Sequence, residues 1–158
     1  MIPPSKHLEY ATGFLHLGLL EEARAEIAQL SPEAQEATVA RQLRIEIAMI
    51  SEVWLEVVAL APGLIAHDST EERPWIAWAY ALRELQRIEE ARDALLTGAR
   101  LIRDPSPLIT YNLACYACLL GDLPEARRLL DSISAQDSSW RDLAGDDPDL
   151  AALFPASP

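Results

Sequence analysis

The tripeptide Glu-Ala-Arg occurs at residues 22–24, 90–92 and 125–127, each time with an apolar residue three positions before the alanine. Ala23 and Ala91 are 68 positions apart, twice 34, and Ala91 and Ala126 are 35 apart. A further copy is due near residue 57, where Trp54, Glu56 and Val57 stand in the same order. Self-similarity at this period points to a stack of like units, because one such unit is too small to bury its own apolar face. The copies fall near residues 4–37, 38–71, 72–106 and 107–138, and leave residues 139–158 over.

Within each copy the apolar residues recur at helical spacing. The third has Trp75, Trp78, Ala79 and Leu82, then Ala91 and Leu95. The fourth has Leu113, Ala114, Ala117, a Gly121-Asp122 turn, then Ala126 and Leu130. The first has Tyr10, Ala11, Phe14, a turn at Gly18, then Ala23 and Ile27. This pattern resembles the tetratricopeptide repeat, of bacterial type, over roughly residues 4–138. The resemblance implies an all-α fold: a right-handed superhelical stack of about four helix-turn-helix repeats in a single domain. Small residues such as Ala11, Ala79 and Ala114 let paired helices approach, and large ones interdigitate. Gly18 and Gly121 suit the left-handed backbone that ends a helix. Pro107 behind Ser106, and Asp122 ahead of Pro124, read as helix starts. No segment alternates with period two, so no strand is expected.

The second copy fits less well. Counting back from Val57 puts Arg41 and Arg44 in apolar slots, and one extra residue in the turn would move Leu43 and Ile47 there instead. The stripe Val39, Leu43, Ile47 and Ile50 supports that shifted register. Pro62 lies inside the second helix of this copy, where its missing N–H predicts a kink or an early end. In the remaining segment, 139–158, two short helical signals carry Trp140, Leu143, Leu150 and Leu153, which are expected to cover the last repeat as a C-terminal cap.

Lys plus Arg number 13 and Asp plus Glu 25, for a net charge of -12. That balance argues against nucleic acid, whose affinity comes largely from phosphate neutralisation, and against an anionic membrane surface. Lys6 is the only lysine, as in proteins from GC-rich bacterial genomes. The N-terminus lacks a signal peptide's apolar run, and Ile45–His67 is too interrupted to span a membrane, so a cytoplasmic location is expected.

Catalytic patterns are missing. Cys115 and Cys118 form a C-x-x-C pair, but it sits mid-helix, away from the helix N-terminus that would activate a thiol. Two sulfurs also fall short of a zinc site. His7, His16 and His67 are scattered, and Glu21-Glu22 and Glu89-Glu90 suit the starts of second helices. There is no nucleophile elbow or phosphate-binding glycine loop. The expectation is no enzyme, no cofactor and no metal. The family resemblance implies that first helices line a concave groove for an extended peptide or a helix. Its groove positions are Leu8, Thr12 and Leu15 in the first copy, Ile76, Tyr80 and Arg83 in the third, and Tyr111, Asn112, Cys115 and Cys118 in the fourth. Leu8 and Thr12 stand where carboxylate-clamping members carry lysine and asparagine, so binding of a charged chaperone tail is not expected. The function expected is a scaffold or adaptor for another protein. A chaperone for a secreted or membrane-inserting client, and a self-associating homodimer, stay open as alternatives.

Overall fold

A computed structural model describes residues 2–154; Met1 and the last four residues of the expected cap, 155–158, lie outside the described residues. Among the described residues there is no strand. The helices are α1 (Pro4–His16), α2 (Leu20–Ala28), α3 (Pro32–Gln35), α4 (Thr38–Ile50), α5 (Trp54–His67), α6 (Glu72–Glu84), α7 (Ile88–Leu101), α8 (Pro107–Leu119), α9 (Leu123–Ser134) and α10 (Ser139–Gly145). A 3-10 helix, Pro148–Leu153, follows. None of the described helices is long and apolar enough to cross a membrane. The chain packs as two compact units divided between Ala81 and Leu82, in the last turn of α6.

One turn recurs at regular intervals. Gly18, Glu52, Gln86 and Gly121 all have positive φ, at 73°, 57°, 62° and 85°. Each is followed by a residue whose N–H reaches back over the helix end: Leu19 to Phe14 O, Val53 to Ala48 O, Arg87 to Leu82 O and Asp122 to Ala117 O, at 2.8–2.9 Å. This is the Schellman closure, in which a left-handed residue lets two orphan carbonyls be satisfied at once. Glycine adopts the left-handed region without steric cost, whereas Glu52 and Gln86 carry a Cβ there. Glu52→Gly and Gln86→Gly are therefore expected to stabilise the protein by about 0.5–1 kcal/mol each. Gly121→Ala is expected to destabilise it by about 1 kcal/mol. Urea titrations of the three variants check this, and a stabilising Gly121→Ala would show that the turn is misplaced.

In the first unit, α1 packs on α2, α4 packs on α5, and α4 also meets α1 and α2. Helix α4 is buried on two sides. Ala40, Leu43 and Ile47 join Ala11, Leu15, Ala23 and Ile27 in one core. Ile45 and Ala48 join Val57, Leu60, Ala61 and Leu64 in another. Val39 and Ile50, the ends of the expected stripe, are exposed. The turn between α4 and α5 has no extra residue, because α5 starts 16 positions after α4, as α2 does after α1 and α9 after α8. Arg41 and Arg44 thus stay in the slots given by the direct count, and the shifted register is corrected. They are tolerated because their charged ends find partners near the surface. Arg41 pairs with Glu36, and its guanidinium lies where a Cβ on Gly63 would be, 1.7 Å from Nη1. Arg44 Nε donates to Glu56 Oε1 at 3.4 Å, and Arg24 Nη1 donates to Glu56 Oε2 at 3.0 Å. Sizes are also exchanged: Ile45 stands where other copies have Ala11, Ala79 and Ala114, and Ala48 stands where they have Phe14 and Leu82. The early end expected at Pro62 does not occur, since α5 continues to His67. Losing one helical bond costs about 3 kcal/mol, and burying Leu60 and Leu64 on either side offsets it at about 2 kcal/mol apiece.

In the second unit, α8 is the central helix, packed against α7, α9 and the 3-10 helix. Eight of its residues are buried, which is why its sequence shows no polar face. Helix α9 starts as expected, with the Asp122 carboxylate accepting from Glu125 N–H at 3.2 Å. The two short helical signals of the tail form α10 and the 3-10 helix. Leu150 and Leu153 are buried and Trp140 is half-buried. Leu143 is not part of the cap: it is 53% exposed, and Ala144 takes the inward position on α10.

Candidate functional site

The first unit holds an open cleft of about 700 Å³ between α4, the C-terminal end of α5 and the start of α6. Ile45, Met49 and Leu64 form an apolar floor, with Pro74 and Ala77 from α6. Gln42, Glu46 and Ile50 line it from α4, four residues apart and so on one helical face. Ile50 is 60% exposed there, an aliphatic side chain held in water beside a concavity. The rim carries Glu46, Asp68 and Glu71, with His67 and Arg73. Asp68 Oδ1 accepts from Thr70 N at 2.9 Å and from Thr70 Oγ1 at 2.7 Å. The Thr70 hydroxyl, and then its amide, hold the Asp68 carboxyl below the usual carboxylate range, so it is ionised throughout the neutral range.

None of the ten expected groove residues lines this cleft, and the reason lies in the register. Moving Leu8, Thr12 and Leu15 forward by 34 gives Gln42, Glu46 and Met49, and moving Ile76, Tyr80 and Arg83 back by 34 gives the same three. All three line the cleft. The expected groove positions include none from the second copy. The unbroken period was the signal that identifies them.

The expected residues of the first unit are spread over different surroundings. Leu8 is half-buried against the core, and Leu15 is buried in it. Thr12 Oγ1 donates to Leu8 O at 2.8 Å. Ile76 is half-buried. Tyr80 is exposed, with its ring 5.7 Å from that of Trp54.

Those of the second unit are brought together, but under the chain's own tail. Tyr111 OH donates to Asp147 Oδ2 at 2.7 Å, and the Tyr111 ring lies 5.3 Å from that of Trp140. Cys115 Sγ is 3.8 Å from the same Asp147 oxygen. Arg83 donates to both oxygens of Asp149, from Nε at 2.8 Å and from Nη2. Cys118 is buried and Asn112 half-buried. Expected on an open groove, Tyr111, Cys115 and Cys118 are instead covered. The physical reason is that α8 is apolar all round and has to be enclosed. Cys115, Asp147 and Asp149 bring potential metal ligands within 4.8 Å of one another. The set does not fit a metal. Arg83 already neutralises Asp149, and burial pushes the Cys115 thiol up, helped by the Asp147 and Asp149 charges, so it keeps its proton.

No protein-family model and no curated protein matches the chain.

Proposed function

We propose that this chain is a scaffold of four tetratricopeptide-type repeats that binds a segment of another protein in the cleft of its first unit, and that it is not an enzyme. The recurring Schellman turns, and first helices that begin at residues 4, 38, 72 and 107, support the repeat reading. The observation that carries the function is that the positions a concave groove uses in neighbouring copies become Gln42, Glu46 and Met49 in the second, where they line an open cleft with an apolar floor. A concave, mostly apolar site with a few polar groups on its edge is the usual form of a recognition site. An aliphatic floor suits the apolar face of a helix or the alternate side chains of a strand.

The test is retention of a native partner by purified protein, compared with Gln42→Trp. Gln42 is exposed, so an indole there crowds the cleft without entering the core. The variant is expected to keep its melting temperature and to weaken binding by about 2 kcal/mol, near 30-fold. A partner retained equally well by both proteins would end the cleft reading. Retention only of the chain itself would replace the adaptor with a self-associating module.

A further inference from the structure

The second unit contains a worked example of how this row of positions holds an occupant. There the tail lies as a short 3-10 turn, with Leu150 and Leu153 three residues apart and both buried. Its two carboxylates are read by groove positions: Tyr111 donates to Asp147 and Arg83 clasps Asp149. Apolar side chains three apart supply the burial, and a charged group between donors sets the register.

The first-unit cleft offers the same arrangement with the opposite sign. The row position that is Tyr111 in the fourth copy is Gln42 in the second, and the one that is Cys115 is Glu46. Asp68 and Glu71, between α5 and α6, line the same cleft. Among the described residues, Arg73 is the one arginine on the cleft and His67 the one histidine, against three carboxylates. Glu46 and Glu71 make no side-chain ion pair or hydrogen bond within the described residues. Three carboxylates beside an apolar floor outweigh the single arginine there, and two of them are not ion-paired, so the cleft favours a positively charged occupant, and the net charge of -12 steers such an occupant in. A carboxylate tail of the kind seated in the second unit would meet like charge here.

We propose that the first-unit cleft takes a short helical segment of a partner protein that presents lysine or arginine beside apolar side chains spaced three or four residues apart. This rests on the reading of the cleft as a protein-binding site. The cation sits between Glu46 and Glu71, and the apolar side chains cover Ile45, Met49 and Ala77.

The experiment selects a random dodecapeptide library displayed on phage against the purified full chain, then measures each enriched peptide on wild type, Gln42→Trp and the double variant Glu46→Arg, Glu71→Arg. Both glutamates are exposed, so the charge reversal leaves the core intact. The expected peptides carry lysine or arginine next to spaced apolar residues. They weaken on Gln42→Trp, weaken about tenfold or more on the double variant, and weaken as salt rises. Peptides that need the cleft but are neutral or acidic, or that ignore the charge reversal, would overturn the inference and leave the cleft reading standing. Peptides indifferent to Gln42→Trp, or no enrichment at all, would overturn both.

Discussion

Leu150→Ala is expected to lower the free energy of unfolding by about 3 kcal/mol. Leu150 has no exposed surface and lies on the 3-10 helix that packs against α8 and α9. A leucine truncated in such a place loses its transfer energy and leaves a void that a short helix pinned at both sides cannot close. The pins are polar. Asp147 caps the 3-10 helix by accepting from Asp149 N–H at 2.9 Å, and Arg127 Nη2 donates to Leu153 O at 3.2 Å. The loss should be local as well as large. Amides of α8 and α9 should exchange faster, while those of α1 to α5 keep their protection. Leu143→Ala on the neighbouring α10 is the control, since an exposed leucine should cost no more than about 0.5 kcal/mol. Denaturant titration and hydrogen exchange on the two variants decide the matter. A loss below about 1 kcal/mol for Leu150→Ala would mean that the tail is not docked in solution.

The fold class was legible because the signals that specify it are local and repeated. The alanines Ala23, Ala91 and Ala126 mark the second helices, and each is fully buried. Gly18 and Gly121 announced two of the four turns, whereas Glu52 and Gln86 concealed the other two. A left-handed residue without glycine looks like any helical residue in sequence, so nothing at Glu52 marks where α4 ends. Arg41 and Arg44, in slots filled by Trp75 and Trp78 in the third copy, are what make the shifted register attractive. A side chain with an apolar stem can fill such a slot while its charge reaches Glu36 or Glu56, and no pattern of hydrophobic letters shows this. The candidate site was legible only through the period. The expected groove positions do not share one fate: Leu8 and Leu15 are closed by their own core, and Tyr111 and Cys115 by the tail. Asp147 and Asp149 are distant in sequence from Tyr111 and Arg83, and a pairing of that range has no local signature.

Raising the pH above about 8.5 is expected to destabilise the protein steeply, through the same docked tail. Burial pushes the Tyr111 phenol upward, as does its hydrogen bond to Asp147. Burial and the Asp147 and Asp149 charges push the Cys115 thiol upward, and burial moves Cys118 in the same direction. In the unfolded chain a thiol ionises near pH 8.5 and a phenol near pH 10. The folded protein keeps these protons, so above those values the unfolded state binds fewer protons than the native one. Stability then falls with pH by about 1.4 kcal/mol per unit for each group involved. The contribution is whole below the unfolded pKa and is lost as pH rises through the range up to the folded one. From pH 8 to pH 10, under reductant, wild type should lose about 2 kcal/mol more than Cys115→Ala, because the variant lacks that titration while other groups are common to both. Tyr111→Phe, offset at every pH by the lost hydrogen bond to Asp147, should differ from wild type in slope only above about pH 10. Urea titrations across this range give the slopes, and parallel curves for wild type and Cys115→Ala would show that the thiol is in contact with water. The two expectations are linked. If the tail is what buries Tyr111 and Cys115, Leu150→Ala should flatten the alkaline slope as well as lower the plateau, since a group already hydrated in the folded state has no shift left to lose.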